Sequence, residues 1–316
     1  MGENQSWVHF ADQGVHEIRE HYLRERIQVS RKDPGARSPN LISVAPTSAI
    51  PARWFRKLSP KMQFTVRGAA AAQESRKAVL MGPWAAAQWG MWFIAPKDRT
   101  VGMALPSGYQ PSKSKFPPGV RYISTKIRED EIVELDGVRV THPLRTYMDL
   151  CRMGQRTNAW LAAGWLLQRG LGADEISSYA EEFAGPMHPN RRRMAISLPH
   201  RAAELTSYSH LLAYALLDDS LVSVRTHCEL DEMGHAILLA GNDLVIAVDE
   251  DPLMSQLETD PEQKQLAQRL RKRERWVAAR GFRKLYFTAE EIEADPEEFV
   301  SEVLGARHQR RRDLSY

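Results

Sequence analysis

Cysteine is scarce and long apolar runs are missing. The chain holds 2 cysteines in 316 residues, Cys151 and Cys228, each in an apolar-periodic segment and neither in a metal-ligand spacing. That pattern predicts reduced, buried thiols and excludes a disulfide-stapled scaffold. No run of about 18 apolar residues is present, so no membrane-spanning helix is expected. The opening MGENQSWVHFADQG is polar and acidic, without the basic-then-apolar layout of a secretory leader. The expected location is the cytoplasm. Enzyme signatures are missing as well. There is no phosphate-cradling glycine loop and no Gly-x-Ser-x-Gly elbow. The 10 histidines are scattered, and His16, His21, His188 and His200 show no ligand spacing. Neither cofactor nor metal is expected.

Charge is present but unevenly placed. Between Arg19 and Arg67 lie eleven Lys and Arg residues against Glu20, Glu25 and Asp33, so that stretch carries +8 where the whole chain carries +3. A basic segment on a nearly neutral chain is the footprint of a polyanion partner. It is equally the footprint of a solvated basic face, and local structure has to decide.

Periodicity supplies that structure. GVHEIREHYLRER (14–26) places Val15, Ile18 and Tyr22 at helical spacing, with Asp12 as N-cap. IQVS and LISVAP flank RKDPGARSPN, two β-like runs around a Pro, Gly and Arg-rich loop, which reads as a hairpin over Ile27–Val44. One or two helices follow over Trp54–Ala72. MGPWAAAQWGMWF is dense enough in Trp84, Trp89 and Trp92 to be core. Strands are expected at Val101–Leu105 and Val120–Ser124. EIVEL-DG-VRV is a hairpin turning at Asp136-Gly137. In THPLRTYMDLCRMG, Thr141 is the expected N-cap, Pro143 sits in the first turn and Gly154 ends the helix. Arg145 and Asp149 stand four apart and read as a structural ion pair. A polar connector, 185–200, precedes a last α/β segment. Its LVIAV run (Leu244–Val248) is apolar at every position, as in a central strand buried on both faces.

Two resemblances rest on these pieces. RKDPGARSPN, KAVLMGPWAAAQWG, GVRYISTKI and above all DGVRVTHPLRTYMDLCR make the stretch from Arg26 to Gly154 resemble the AbiEi-type antitoxins. The resemblance implies a bacterial winged-helix transcription factor with a following mixed α/β domain. Such a protein represses its own operon and opposes a nucleotidyltransferase-like toxin. LVIAVDED, QKQLAQRLRKRERWVAARGF and RKLYFTAEEI make the stretch from Ala203 to Gly305 resemble the endonuclease-like domain of very-short-patch-repair enzymes. That fold class holds magnesium with acidic side chains on adjacent strands, because magnesium prefers hard oxygen ligands. Here the corresponding positions fall on Ala236 and Ala247. Asp249 alone keeps its place, with Glu250 and Asp251 just beyond it. The implied outcome is a nuclease fold without its chemistry.

The sequence therefore predicts an α+β protein in four parts: a partial winged-helix DNA-binding region (1–70), a mixed α/β domain (71–155), a helical connector (156–200) and a restriction-endonuclease-like domain (201–316). Its expected function is a DNA-binding regulator and antitoxin, not an enzyme. The expected partners are double-stranded DNA and a nucleotidyltransferase-like toxin, with no membrane. The expected DNA contacts are Arg19, Arg24 and Arg26 on the first helix and Arg31, Lys32 and Arg37 at the hairpin tip. Two alternatives stay open: a magnesium-dependent endonuclease using Asp249, Glu250 and Asp251, and a protein-interaction scaffold.

Overall fold

A computed structural model of the chain describes residues 3–29, 38–75, 77–183, 185, 187–205, 207–220, 222–225, 238–240, 244–248 and 281–313. Among the described residues, eleven α-helices and mixed sheets make it an α+β protein. It divides into two compact units, Met1–Pro199 and His200–Tyr316. The stretches 1–70, 71–155 and 156–199 thus lie within one body. No described helix is long and apolar enough to cross a membrane.

The first unit opens with a short 3-10 segment (Glu3–Phe10) and helix α1 (Gln13–Glu25). The Asp12 side chain caps α1 by accepting from the Val15 N–H at 3.2 Å, as the sequence led us to expect. Strands β1 (Ile27–Gln28), β2 (Leu41–Ala45) and β3 (Ser48–Pro51) form an antiparallel sheet in the order β1-β3-β2. The hairpin expected over Ile27–Val44 is thereby corrected. β2 pairs with β3 across a turn at Pro46-Thr47, and β1 pairs with β3, Ile27 opposite Ala49. The physical reason is that Leu41–Ala45 has a two-residue return immediately after it, which closes at far lower loop-closure cost than a return to Ile27 across the 29–40 stretch. Helices α2 (Ala52–Phe55) and α3 (Pro60–Glu74) follow, α3 capped by Ser59.

A five-stranded mixed sheet forms the centre of this unit. Its strands are β4 (Val79–Leu80), β5 (Val101–Ala104), β6 (Val120–Tyr122), β7 (Ile132–Leu135) and β8 (Val138–Thr141), in the order β6-β5-β4-β8-β7. β7 and β8 form the hairpin expected at Asp136-Gly137, with Leu135 opposite Val138. Both turn residues have positive φ, 50° and 75°, as a primed two-residue turn demands. Helices α4 (Pro83–Trp89), α5 (Pro143–Arg152), α6 (Arg156–Gln168), α7 (Ala173–Phe183) and α8 (Pro189–Ala202) follow, and the division falls within the last turn of α8. Every residue of α4 is buried, as is every residue of α5 from Pro143 to Cys151. Trp84 stacks on Phe64 with ring centroids 3.4 Å apart, and Trp89 donates its indole N–H to the Thr141 carbonyl at 2.8 Å. Trp84 and Trp89 are core, as expected, whereas Trp92 is half-buried.

Helix α5 starts one residue later than Thr141 would place it. His142 is the N-cap, its Nδ1 accepting from the Arg145 N–H at 3.2 Å. The Thr141 hydroxyl is instead 2.8 Å from the Thr146 hydroxyl. Gly154, at φ +73°, follows the helix end. Cys151 is a free, buried thiol, and burial pushes its pKa up to about 12. It stays protonated and unreactive at neutral pH. Cys228 lies outside the described residues.

The second unit contains helix α9 (Tyr208–Asp219) and strands β9 (Val224–Arg225), β10 (Leu238–Ala240), β11 (Leu244–Val248) and β12 (Arg283–Phe287), in the order β12-β11-β10-β9. Two antiparallel steps join β9, β10 and β11, and β11 pairs in parallel with β12. All five β11 residues are buried, as their uninterrupted apolarity foretold. Helices α10 (Ala289–Ala294) and α11 (Pro296–Asp313) end the chain's described part. A capping box at Thr288 and Glu291 starts α10, and Phe299 of α11 packs edge-on to Phe287, ring centroids 4.8 Å apart.

Candidate functional site

The end of α1 and the start of α2 both carry exposed basic side chains. His21 of α1 lies against Trp54 of α2, ring centroids 4.4 Å apart. Arg24 lies about one turn beyond His21 on α1, and Arg53, Arg56 and Lys57 flank Trp54 in the chain. All four are exposed. Arg26 is exposed too, and its Nη1 donates to the Gln73 side chain at 2.5 Å. Arg67 behaves differently. Its guanidinium lies over the Phe55 ring, 5.1 Å from the centroid, and burial lowers its pKa.

Arg19 does not belong to this face. It is 2% exposed. Its Nε donates to Asp136 Oδ2 at 2.7 Å and its Nη1 to the Gln88 carbonyl at 2.5 Å. His16 Nδ1 meets the same Asp136 oxygen at 2.9 Å. Arg19 therefore ties α1 to the β7–β8 turn and to the end of α4, and as placed it has no side-chain surface to offer a ligand. The physical reason is register. Arg19 falls on the inner side of α1 with Tyr22, and its reach lets a charged tip end on a turn carboxylate instead of in apolar core. Burial pushes the Asp136 carboxyl up, but His16 and Arg19 outweigh it and its pKa ends below the usual value. Arg31, Lys32 and Arg37 lie outside the described residues, as do Ala236, Asp249, Glu250 and Asp251. Ala247 is buried within β11.

A second collection of charge is buried. Arg145 donates from Nε to Asp149 at 2.9 Å and from Nη1 to Glu131 at 2.6 Å. Its Nη2 donates to the Thr125 hydroxyl at 3.1 Å and the Lys126 carbonyl at 3.2 Å. The ion pair expected from the four-residue spacing is thus present, and Glu131 makes it a triad. Arg152 adds a contact to the same Asp149 oxygen at 3.3 Å, while the other, Oδ2, is buried without a hydrogen bond. Burial pushes the Glu131 carboxyl up, but the Arg128 backbone N–H and the Arg145 charge outweigh it and hold its pKa below its usual value. For Asp149, which is fully buried, burial wins and the pKa is raised.

His142 extends the network. Its Nδ1 accepts the α5 capping bond, which puts the neutral ring's proton on Nε2. Nε2 faces the Tyr179 hydroxyl at 3.4 Å, and that hydroxyl donates to Glu131 at 3.2 Å. Trp7 stacks on the imidazole, ring centroids 5.3 Å apart and planes 7° from parallel. Burial lowers the His142 pKa to about 4 against the partial opposing pull of Glu131. Glu131, His142 and Tyr179 carry no local signal in the sequence. They are brought together by the β7–β8 hairpin and by α7, up to 48 residues apart in the chain.

Among the described residues no group of three or more His, Cys, Asp or Glu side chains is arranged to hold a metal. The geometry defines an α+β protein with an exposed basic helical region and a buried ionic network in its first unit. No family model, no curated protein and no solved structure matches the chain.

Proposed function

We propose that the chain is a DNA-binding transcriptional regulator, the antitoxin of an operon that also encodes a nucleotidyltransferase-like toxin. The His21–Trp54 contact carries the reading. It joins α1 to α2, and Arg24, Arg53, Arg56 and Lys57 on and beside these helices are exposed and belong to the segment that holds the chain's excess positive charge. The AbiEi-like run from Arg26 to Gly154 supports the same reading, and Arg26, Arg31, Lys32 and Arg37 add to that charge. Binding is non-covalent. Guanidinium and ammonium groups neutralise phosphates and release condensed counterions, so affinity falls steeply with salt. Fluorescence anisotropy with a labelled duplex is expected to give a log–log salt slope of about −3 to −6, roughly one unit per phosphate neutralised. No binding by micromolar protein at about 50 mM salt, where phosphate contacts are strongest, would overturn the reading.

The second unit is proposed to keep an endonuclease-like fold without its reaction. The buried β11 between a parallel and an antiparallel neighbour supports the fold. Alanine at 236 and 247 removes two of the carboxylates that a magnesium centre of this class uses. Supercoiled plasmid incubated with the protein and magnesium is expected to stay intact. Cleavage that disappears in Asp249→Ala would establish the enzyme instead.

A further inference from the structure

The first unit contains a cavity of about 750 Å³, well inside the range of pockets that hold small organic ligands. Its lining is charged in one sense. Lys126, Arg128, Arg145, Arg152 and Arg191 border it, and among the described residues Glu131 is the single acidic one. Counterions built into the protein answer only part of this charge. Arg145 is shared by Glu131 and Asp149, Arg152 pairs with Asp149, and Arg128 pairs with Asp130 at 2.9 Å. Among the described residues neither Lys126 nor Arg191 pairs with a carboxylate.

The excess lies with Lys126 and Arg191, both exposed at the cavity's border. Arg191 is held in place. Its Nη1 donates to the Arg152 carbonyl at 2.5 Å, and its guanidinium rests on Gly154, where a Cβ would come within 3.0 Å of Nη2. The glycine, already required by φ +73°, leaves the room that the guanidinium occupies. A fixed guanidinium fork with a lysine on the same border matches a phosphate's oxygens. Other parts of the wall are apolar: Met81, Ile123, Phe183 and Met187. Methionine pairs readily with flat or irregular groups because its side chain adapts.

We infer that this cavity binds a small phosphorylated molecule of nucleotide size, its phosphate on Lys126 and Arg191 and its apolar body against Met81, Ile123, Phe183 and Met187. Concavity and apolar walls favour a small ligand over a nucleic-acid backbone, which needs only a charged surface. The site is distinct from the Arg24–Lys57 face, and each is tested by its own variants.

Isothermal titration of the full chain with ADP as the probe tests the inference. ADP is expected to bind more tightly than inorganic phosphate, because only ADP reaches the apolar wall. The double variant Lys126→Ala with Arg191→Ala is expected to weaken ADP binding by about tenfold or more, the scale of losing a charge-assisted phosphate contact. Both residues are exposed, and an unchanged melting temperature will show that the variant folds. Arg24→Ala with Arg53→Ala is expected to leave ADP binding unchanged. The inference is overturned by no ADP heat up to about 1 mM, a concentration at which even weak specific ligands register. Equal affinity in the double variant overturns it too. So does displacement of ADP by a DNA duplex, which would make the cavity part of a nucleic-acid surface.

Discussion

Replacing Arg145 by Met is expected to destabilise the first unit by about 3–5 kcal/mol, because it leaves buried carboxylates without their cation. Arg145 and Glu131 have side-chain exposures of 4% each, and Asp149 of 0%. Methionine approximates the length of the arginine stem, so the substitution removes charge and hydrogen bonds more than volume. Glu131 would keep its bonds from the Arg128 N–H and Tyr179, and Asp149 would keep only Arg152. In a body of this size a loss of that order lowers the melting temperature by about 10 °C. Adding Glu131→Gln and Asp149→Asn to Arg145→Met is expected to recover part of the loss, since neutral amides cost less to bury than unpaired carboxylates. Thermal denaturation followed by near-ultraviolet circular dichroism reads both. A melting temperature within about 2 °C of the parent for Arg145→Met, a surface-mutation effect, would show that the triad does not hold the unit together.

The next largest effect is expected from pH. His142 is neutral in the folded chain to a pKa of about 4, whereas an unfolded histidine titrates near its ordinary value of 6.5. On acidification the unfolded chain takes up this proton first. Its contribution to stability is therefore fully present above pH 6.5, falls as the pH drops toward 4, and is lost below. The shift corresponds to about 3 kcal/mol across that window. Glu131 and Asp136 lose their contributions at lower pH, because their pKa values are held below the ordinary carboxylate range. His142→Asn preserves an acceptor for the Arg145 N–H, does not titrate, and gives up the Trp7 stack and the Tyr179 contact. Its stability at pH 7 is expected to be lower than the parent's and its slope between pH 6.5 and 4 flatter. Urea unfolding at a series of pH values measures this. An unchanged slope would assign the window to other groups.

Local chemistry made part of this architecture legible. The Asp136-Gly137 turn is written in two adjacent residues, both of which need positive φ. The Asp12 cap and the Arg145–Asp149 pair lie within one helical turn each. The five apolar residues of β11 announce a doubly covered strand. The partner of β1 was not legible, because short strands of similar composition leave pairing to loop closure and to packing on the α1–α3 side. Arg19 misled for a related reason. A charged residue in a basic segment reads as surface until Asp136, 117 residues away, is known to meet it. The Glu131, His142 and Tyr179 cluster and the cavity beside it are assembled by tertiary folding from residues that are unremarkable singly.

The proposed binding of DNA by the basic region around α1 and α2 is tested most directly by a salt series on one variant. Arg24, Arg53, Arg56 and Lys57 are exposed, so changing all four to Ala leaves the core intact. Anisotropy with the same labelled duplex, from about 50 to 300 mM salt, should show weaker binding to every sequence tried. The log–log slope should flatten by about three to four units. Parent-like affinity and slope at every salt concentration would contradict the assignment.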